Sequence, residues 1–285
     1  MEIDQSICYH MKNGHGEEEN YFCPLDKPEH TSKLPALHHI HSGRFEHVVA
    51  GSTRTRSPRL LSEDGSGDMT STEVEIYGLT SPMKVAARSS RAFQNGPYLA
   101  RNHDDQLDLY GTYRVYQDPH SAFVSGIYPS QDVSGIFRTL DSKDERGNLL
   151  IHVPSRRSHP GLTCSVKDIF AMAGTITGCG SWIIQQNGEK AEKNATLVQK
   201  LVDAGVSIVG KSETLEFVLR GPNIEENSQR LYPFSCRADG WQSVGGSSSG
   251  AAAGLAAYPW LDMAITSDTS GSTIFPAARV GVYGI

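Results

Sequence analysis

Apolar positions are spread unevenly along this chain. Residues 1–75 are polar and charged, with no sustained apolar period, a composition that buries little surface and predicts a mobile tail. Within residues 76–158, short alternations such as Tyr113-Arg114-Val115-Tyr116 and Leu149-Leu150-Ile151-His152-Val153 predict strands set between Pro and Gly residues, hence a small accessory region. From residue 159 to 285 the texture changes to Gly, Ala, Ser and β-branched residues. Leu162 to Val166 is an uncharged, strand-like run that ends at Lys167. Leu197, Val198, Leu201 and Val202 share one face of a predicted helix, with Asn194 as its cap and Gly205 as its stop. Val206 to Val209 reads as a short buried strand ended by Gly210, and Glu213 to Leu219 as a second helix. Gly250 to Ala257 predicts a helix closed by Pro259, and Met263 to Thr266 a further strand. Strands and helices alternating across short turns point to an α/β layer architecture.

Composition narrows the function classes. The chain has 285 residues, enough for a sizeable core, and a formal charge of -6, which argues against a broad nucleic-acid face. No apolar run reaches the length of a membrane span, and Met1 to Gln5 lacks the basic and apolar regions of a secretory signal. The cysteines (Cys8, Cys23, Cys164, Cys179 and Cys236) are odd in number and suggest no disulfide framework, so a reducing, cytoplasmic setting is expected. Cys8, His10, His15 and Cys23 match no standard zinc spacing, and no metal is expected. His38, His39, His41 and His47, like the basic stretch Arg54, Arg56 and Arg59, read as solvated.

The chemistry concentrates in two serine-rich turns, Gly245-Gly246-Ser247-Ser248-Ser249-Gly250 and Ser267-Asp268-Thr269-Ser270-Gly271-Ser272. Glycines beside serines let backbone N–H groups approach a developing oxyanion. Ser272, just after a predicted strand, is a candidate nucleophile, but a hydroxyl needs a base. All 11 histidines precede residue 160, which disfavours a Ser-His pair. A lysine serves if burial leaves it neutral. Lys167 fits that description, and fits equally a surface lysine paired with its neighbour Asp168. Lys211, in Gly210-Lys211-Ser212, meets the phosphate-loop spacing only loosely, because a strand precedes it, so a nucleotide site is rejected.

Taken together, Val166-Lys167-Asp168, the two serine turns, Gly210-Lys211-Ser212 with Glu216-Phe217, and Pro276-Ala277-Ala278 resemble the amidase signature family in order and near-spacing. The resemblance covers residues 159–285 and implies an α/β fold with a mixed sheet flanked by helices. It implies a Ser–cis-Ser–Lys triad with Lys167 as base, Ser247 as bridge after a cis peptide, and Ser272 as nucleophile. It further implies an oxyanion site from the backbone of Thr269, Ser270, Gly271 and Ser272, support from Ser248, Ser249 and Asp268, and no cofactor. Ser248 and Ser249 also fit simple helix capping. The substrate would be a small carboxamide or ester, with neither nucleic acid nor membrane as partner; a homo-oligomer stays open. Tyr258 to Asp262 and Gly281 to Gly284 look most like a fungal, secondary-metabolism branch. Two positions depart from the family. Ser270 stands where a glycine is usual, which would be strained at positive φ, and Ile274 stands where an arginine is usual. Family members also continue well past the signature, so the resemblance implies an incomplete chain or an inactive homologue acting by binding.

Overall fold

The computed structural model describes residues 106–129, 135–154, 161–218, 232–239 and 242–285, and strand segments within residues 6–103. Contacts divide the chain into two compact units: residues 1–114 with 154–160, and residues 115–153 with 161–285.

The first unit holds β1 (Ser6–Lys12), β2 (Glu18–Pro24), β3 (His30–Lys33), β4 (Phe45–Arg54), β5 (Ser71–Tyr77), β6 (Met83–Arg88), β7 (Tyr98–His103), β8 (Gln106–Gly111) and the start of β9 (Tyr113–Asp118). β1 pairs antiparallel with β2, and β2 with the start of β9 through Tyr21 opposite Arg114 and Phe22 opposite Tyr113. β3, β8, β7, β4, β5 and β6 form a second sheet in that order. Strands therefore stand within residues 1–75, where composition predicts a mobile tail. Antiparallel ladders satisfy backbone donors and acceptors whatever the side chains, so such pairing leaves little apolar signature. The rest of that stretch, with His15, His38, His39, His41, Arg56 and Arg59, lies outside the described residues.

The second unit carries the predicted chemistry. It contains β10 (Phe123–Pro129), β11 (Phe137–Leu140), β12 (Leu149–Pro154), β13 (Thr163–Lys167), β14 (Ser207–Ser212) and β15 (Met263–Ile265). Its helices are α1 (Trp182–Asn187), α2 (Thr196–Asp203), α3 (Ser249–Ala257) and α4 (Ile274–Val280). The order β11-β10-β14-β13-β15 makes a mixed sheet, antiparallel from β11 to β14 and parallel from β14 through β13 to β15. Parallel neighbours need crossovers; α1 and α2 join β13 to β14, and α3 lies between β14 and β15. Residues 115–153 thus supply two strands of this sheet, although the sequence assigns them to a separate accessory region.

Both faces of the sheet are covered. On one, Ile127, Phe137, Cys164, Val166 and Ile208 pack with Met172 and with Val198 of α2. On the other, Phe123, Ile151, Val153 and Val209 pack with Ala252 and Ala253 of α3, Val280 of α4, and Tyr258, Trp260 and Leu261. Trp260 stacks on Tyr258 at 5.0 Å and on Tyr116 at 5.3 Å between ring centroids, so the loop after α3 is pinned by aromatic area.

Local differences from the sequence reading have physical causes. Asn194 is not the cap of α2. Its amide instead accepts from Ala173 N–H (2.8 Å) and donates to the Gly135 carbonyl (2.7 Å), and the helix starts two residues later. The helix expected from Glu213 to Leu219 is a single 3₁₀ turn, Glu216–Val218, because Phe217 and Val218 take left-handed φ values of 50° and 67°. Leu219 lies outside the described residues.

α3 approaches the sheet as closely as backbone allows. A Cβ on Gly250 would stand 2.2 Å from the Ala122 carbonyl oxygen and 2.4 Å from Glu213 N. Neither contact can rotate away, so Gly250→Ala is expected to cost about 3 kcal/mol of unfolding free energy, measured by urea denaturation. An unchanged midpoint would show that α3 can slide.

Candidate active site

Lys167 ends β13 and is 0% exposed. Strand alternation turns it to the α3 face, opposite Val166. Its Nζ donates to Ser247 Oγ at 2.7 Å, and lies 3.2 Å from Ser267 Oγ and 3.4 Å from the Ser267 carbonyl oxygen. Burial disfavours the ammonium and lowers its pKa to about 8, against the pull of the Asp268 carboxylate.

Ser247 is buried, and the Gly246–Ser247 peptide is cis. Its carbonyl accepts from Thr214 Oγ1 (2.8 Å) and from Leu215 N–H (3.2 Å), which holds the turn against the end of β14. A Cβ on Gly246 would meet the Leu215 side chain at 2.4 Å, so this approach requires glycine. The next residue, Ser248, donates its N–H to the Ser272 carbonyl at 3.1 Å, which ties the two serine turns together.

Lys167, Ser247 and the backbone of Ser272 are therefore adjacent. Ser272 Oγ, however, makes no hydrogen bond to Ser247 Oγ among the described residues. The Asp268 carboxylate organises its loop: it accepts from the N–H groups of Gly271 (2.5 Å), Thr273 (2.8 Å) and Ile274 (3.1 Å), and also from Ser272. These donors, that of Thr273 first, hold its pKa below the usual carboxylate range. Two of the N–H groups that the family resemblance assigns to an oxyanion, those of Gly271 and Ser272, thus point at Asp268. Thr269 and Ser270 are exposed on the same loop. Ser270 does not take a positive φ; Gly271 does, at 110°, with the Phe275 ring 2.2 Å from where its Cβ would be. The strain anticipated for Ser270 is therefore absent. Ile274 is 57% exposed.

The supporting serines behave differently from helix caps. Ser248 is the N-cap residue of α3 without a side-chain capping bond, and its buried Oγ has no hydrogen-bond partner among the described residues. Ser249 Oγ lies 3.5 Å from the Glu213 carbonyl and also hydrogen-bonds with the Tyr232 side chain.

Sequence reasoning missed Ser267 and Thr214 as partners of the site, although both flank residues it singled out. It also left Lys167 paired with Asp168 as an open alternative. The structure sends the two to different partners. Asp168 forms a buried ion pair with Lys211 at 2.8 Å; Lys211 Nζ donates to the Ile176 carbonyl (2.8 Å) and Thr177 Oγ1 (2.9 Å), and Asp168 Oδ2 accepts from Gly178 N–H (3.0 Å). Lys211 is thus held by a carboxylate. Among the described residues no cluster of His, Cys, Asp or Glu is placed to hold a metal ion, and no helix is long and apolar enough to cross a membrane.

Comparison with known proteins falls on this same segment. The family described as Amidase matches residues 158–285. The chain is 38% identical over 127 residues to a glutamyl-tRNA(Gln) amidotransferase subunit of Acidothermus cellulolyticus, covering 44% of this chain and 23% of that protein. It is 35% identical over 138 residues to the corresponding mitochondrial protein of Mus musculus, covering 44% and 26%. Among solved structures, the glutamyl-tRNA(Gln) amidotransferase subunit of Thermotoga maritima matches 57% of this chain with 30% of its own at 27% identity, with a TM-score of 0.40. The peptide amidase of Stenotrophomonas maltophilia aligns with 41% and 24% at 29% identity, with a TM-score of 0.31. The chain thus spans about a quarter of the length of the curated relatives it matches. The likeness to the amidase signature family rests on residues 158–285 and supports amidase-like chemistry there.

Proposed function

We propose that residues 158–285 carry a serine hydrolase site that cleaves a small carboxamide, or an ester by the same acyl chemistry. The observation that carries this reading is the short contact between a buried lysine of lowered pKa and the Ser247 hydroxyl. In the proposed reaction Ser272 Oγ attacks the carbonyl carbon as its proton passes to Ser247 Oγ, and the Ser247 proton passes to neutral Lys167. The carbonyl π electrons move to oxygen, then return and expel the amine, which leaves with the proton held at Lys167. Water attacks the acyl-enzyme by the same relay run on the second substrate, and the acid departs. The oxyanion is assigned to backbone N–H groups of Thr269, Ser270, Gly271 and Ser272. Those of Gly271 and Ser272 must turn from Asp268 to take it, so the resting loop is reset by substrate.

No cofactor enters this scheme, and the substrate is a small molecule rather than a nucleic acid or a membrane. The amidotransferase name of the relatives fits the same acyl step. Assignment to a fungal, secondary-metabolism branch rests on Tyr258 to Asp262 and Gly281 to Gly284.

Labelling by a fluorophosphonate tests the reading. Ser272 Oγ displaces fluoride at phosphorus, and labelling should vanish in Ser272→Ala. The protonated lysine cannot accept a proton, so the rate should fall as pH drops and reach half its plateau near the Lys167 pKa of about 8. A folded protein that stays unlabelled at pH 9 would refute the hydrolase assignment.

A second reading is that of an inactive homologue that binds an amide without cleaving it. It is favoured by the missing Ser272–Ser247 hydroxyl contact, by the occupied Gly271 and Ser272 N–H groups, and by Ile274. Saturable amide binding without labelling supports it; turnover lost in Ser272→Ala removes it.

A further inference from the structure

We infer that Ser267 is a positioning residue that aims the nitrogen lone pair of Lys167 at Ser247. The inference builds on the hydrolase reading and adds a part to it. Lys167 Nζ has oxygen neighbours at Ser247 Oγ (2.7 Å), Ser267 Oγ (3.2 Å) and the Ser267 carbonyl (3.4 Å). As an ammonium it has three N–H donors, one for each. As the neutral amine it has two N–H groups and one lone pair. The base step needs that lone pair on the Ser247 O–H, so both N–H groups must then end on Ser267. One residue offers both acceptors, hydroxyl and carbonyl.

The fold explains why Ser267 stands there. β15 runs parallel to β13 with Ile265 opposite Val166, so the chain leaving β15 passes beside the end of β13. Without Ser267 Oγ, the amine gains by turning an N–H toward Ser247 Oγ, and the lone pair points away from the proton it must take. The transfer itself breaks the Ser247 O–H bond and forms an N–H bond on Lys167, while Ser247 Oγ gains the Ser272 proton.

Charged and titratable groups nearby leave this geometry as the deciding feature. Asp268, on the loop that follows Ser267, acts on the amine electrostatically. Asp168 and Lys211 hold each other, Glu213 accepts from Thr214 N–H, Tyr232 donates to the Gly245 carbonyl, and Arg279 of α4 donates to the Ser243 carbonyl. α3 and β15 bring no titratable side chain.

The test compares Ser267→Thr with Ser267→Val, which share a shape but differ in the hydroxyl. Two readouts are needed: the pH profile of fluorophosphonate labelling, and the titration of the Lys167 ε-carbon NMR shift in a Ser272→Ala background. The hydroxyl stabilises the ammonium more than the amine, so its loss should move the Lys167 midpoint to lower pH by about one unit. Valine should also lower the labelling plateau about tenfold, and threonine should keep both values. Equal Lys167 midpoints in folded Val and Thr variants would overturn the inference. Should Val not fold, Ser267→Ala against wild type gives the same comparison. Wild-type protein that is never labelled, but whose Lys167 midpoint moves with Ser267, would sink the hydrolase reading and keep the Ser267–Lys167 coupling; normal labelling with an unmoved midpoint would do the reverse.

Discussion

Lys167→Met is expected to slow acylation of Ser272 about a thousandfold while leaving the protein folded. A positioned general base contributes roughly a hundred- to ten-thousandfold, and methionine supplies none of it. The side chain it replaces is fully buried, so an apolar residue of similar length removes a desolvation cost instead of opening a hole. Lys167→Arg should lose the same activity for a different reason, because guanidinium stays protonated at any working pH. The decisive measurement is the labelling rate of Lys167→Met at pH 9, set beside its urea midpoint. Wild-type labelling in a stable Met variant would show that Ser272 draws its base from elsewhere.

Lys211→Met should do the opposite, with a large effect on stability. Asp168 would be left as a buried carboxylate without its counter-ion, and breaking one side of such a pair costs about 3–5 kcal/mol. Adding Asp168→Asn removes the stranded charge, so the double variant should regain much of the loss. Denaturant unfolding of both singles and the double measures this coupling directly. Additive losses would mean that the two side chains act independently despite their 2.8 Å approach. The pair closes the segment Ile176 to Cys179 onto the strand ends, since Lys211 binds the Ile176 carbonyl and Cys179 N–H donates to the Asp168 carbonyl. The Cys179 carbonyl in turn accepts from Phe217 N–H, close in sequence to the Leu215 that holds Ser247. The two buried lysines of this unit therefore have separate partners: one, with a lowered pKa, sits beside a hydroxyl, and the other is held by a carboxylate.

Much of the second unit was legible because its signals are local. The apolar face of α2, the run before Lys167 and the Ala-rich α3 reappear within a residue or two of expectation. The meeting of Lys167 with Ser247 was legible only through the family resemblance, since 80 residues separate them and periodicity carries no such information. What escaped were choices made by tertiary partners. Asn194 has the chemistry of a cap, but two distant backbone groups claim its amide. Glu213 to Leu219 has helical residues, but Ser247 pulls Thr214 and Leu215 out of register with a helix. Asp168 has an obvious neighbour in Lys167, but strand alternation sends Lys167 to Ser247, while Asp168, in the turn after β13, pairs with Lys211. α4 was missed because Pro276 hides it, although a proline in the first turn lacks only a donor that the helix does not use.

That alternation reaches beyond the two side chains. Lys167 closes the strand on the side of Ser247, and Asp168, the next residue, meets Lys211. Substitutions within Thr163 to Val166 leave this division intact. The loss or gain of a single residue there would turn Lys167 to the other face of the sheet, away from Ser247. The segment is thus a ruler whose length matters more than its lettering, and its descendants should vary by replacement, not by insertion or deletion.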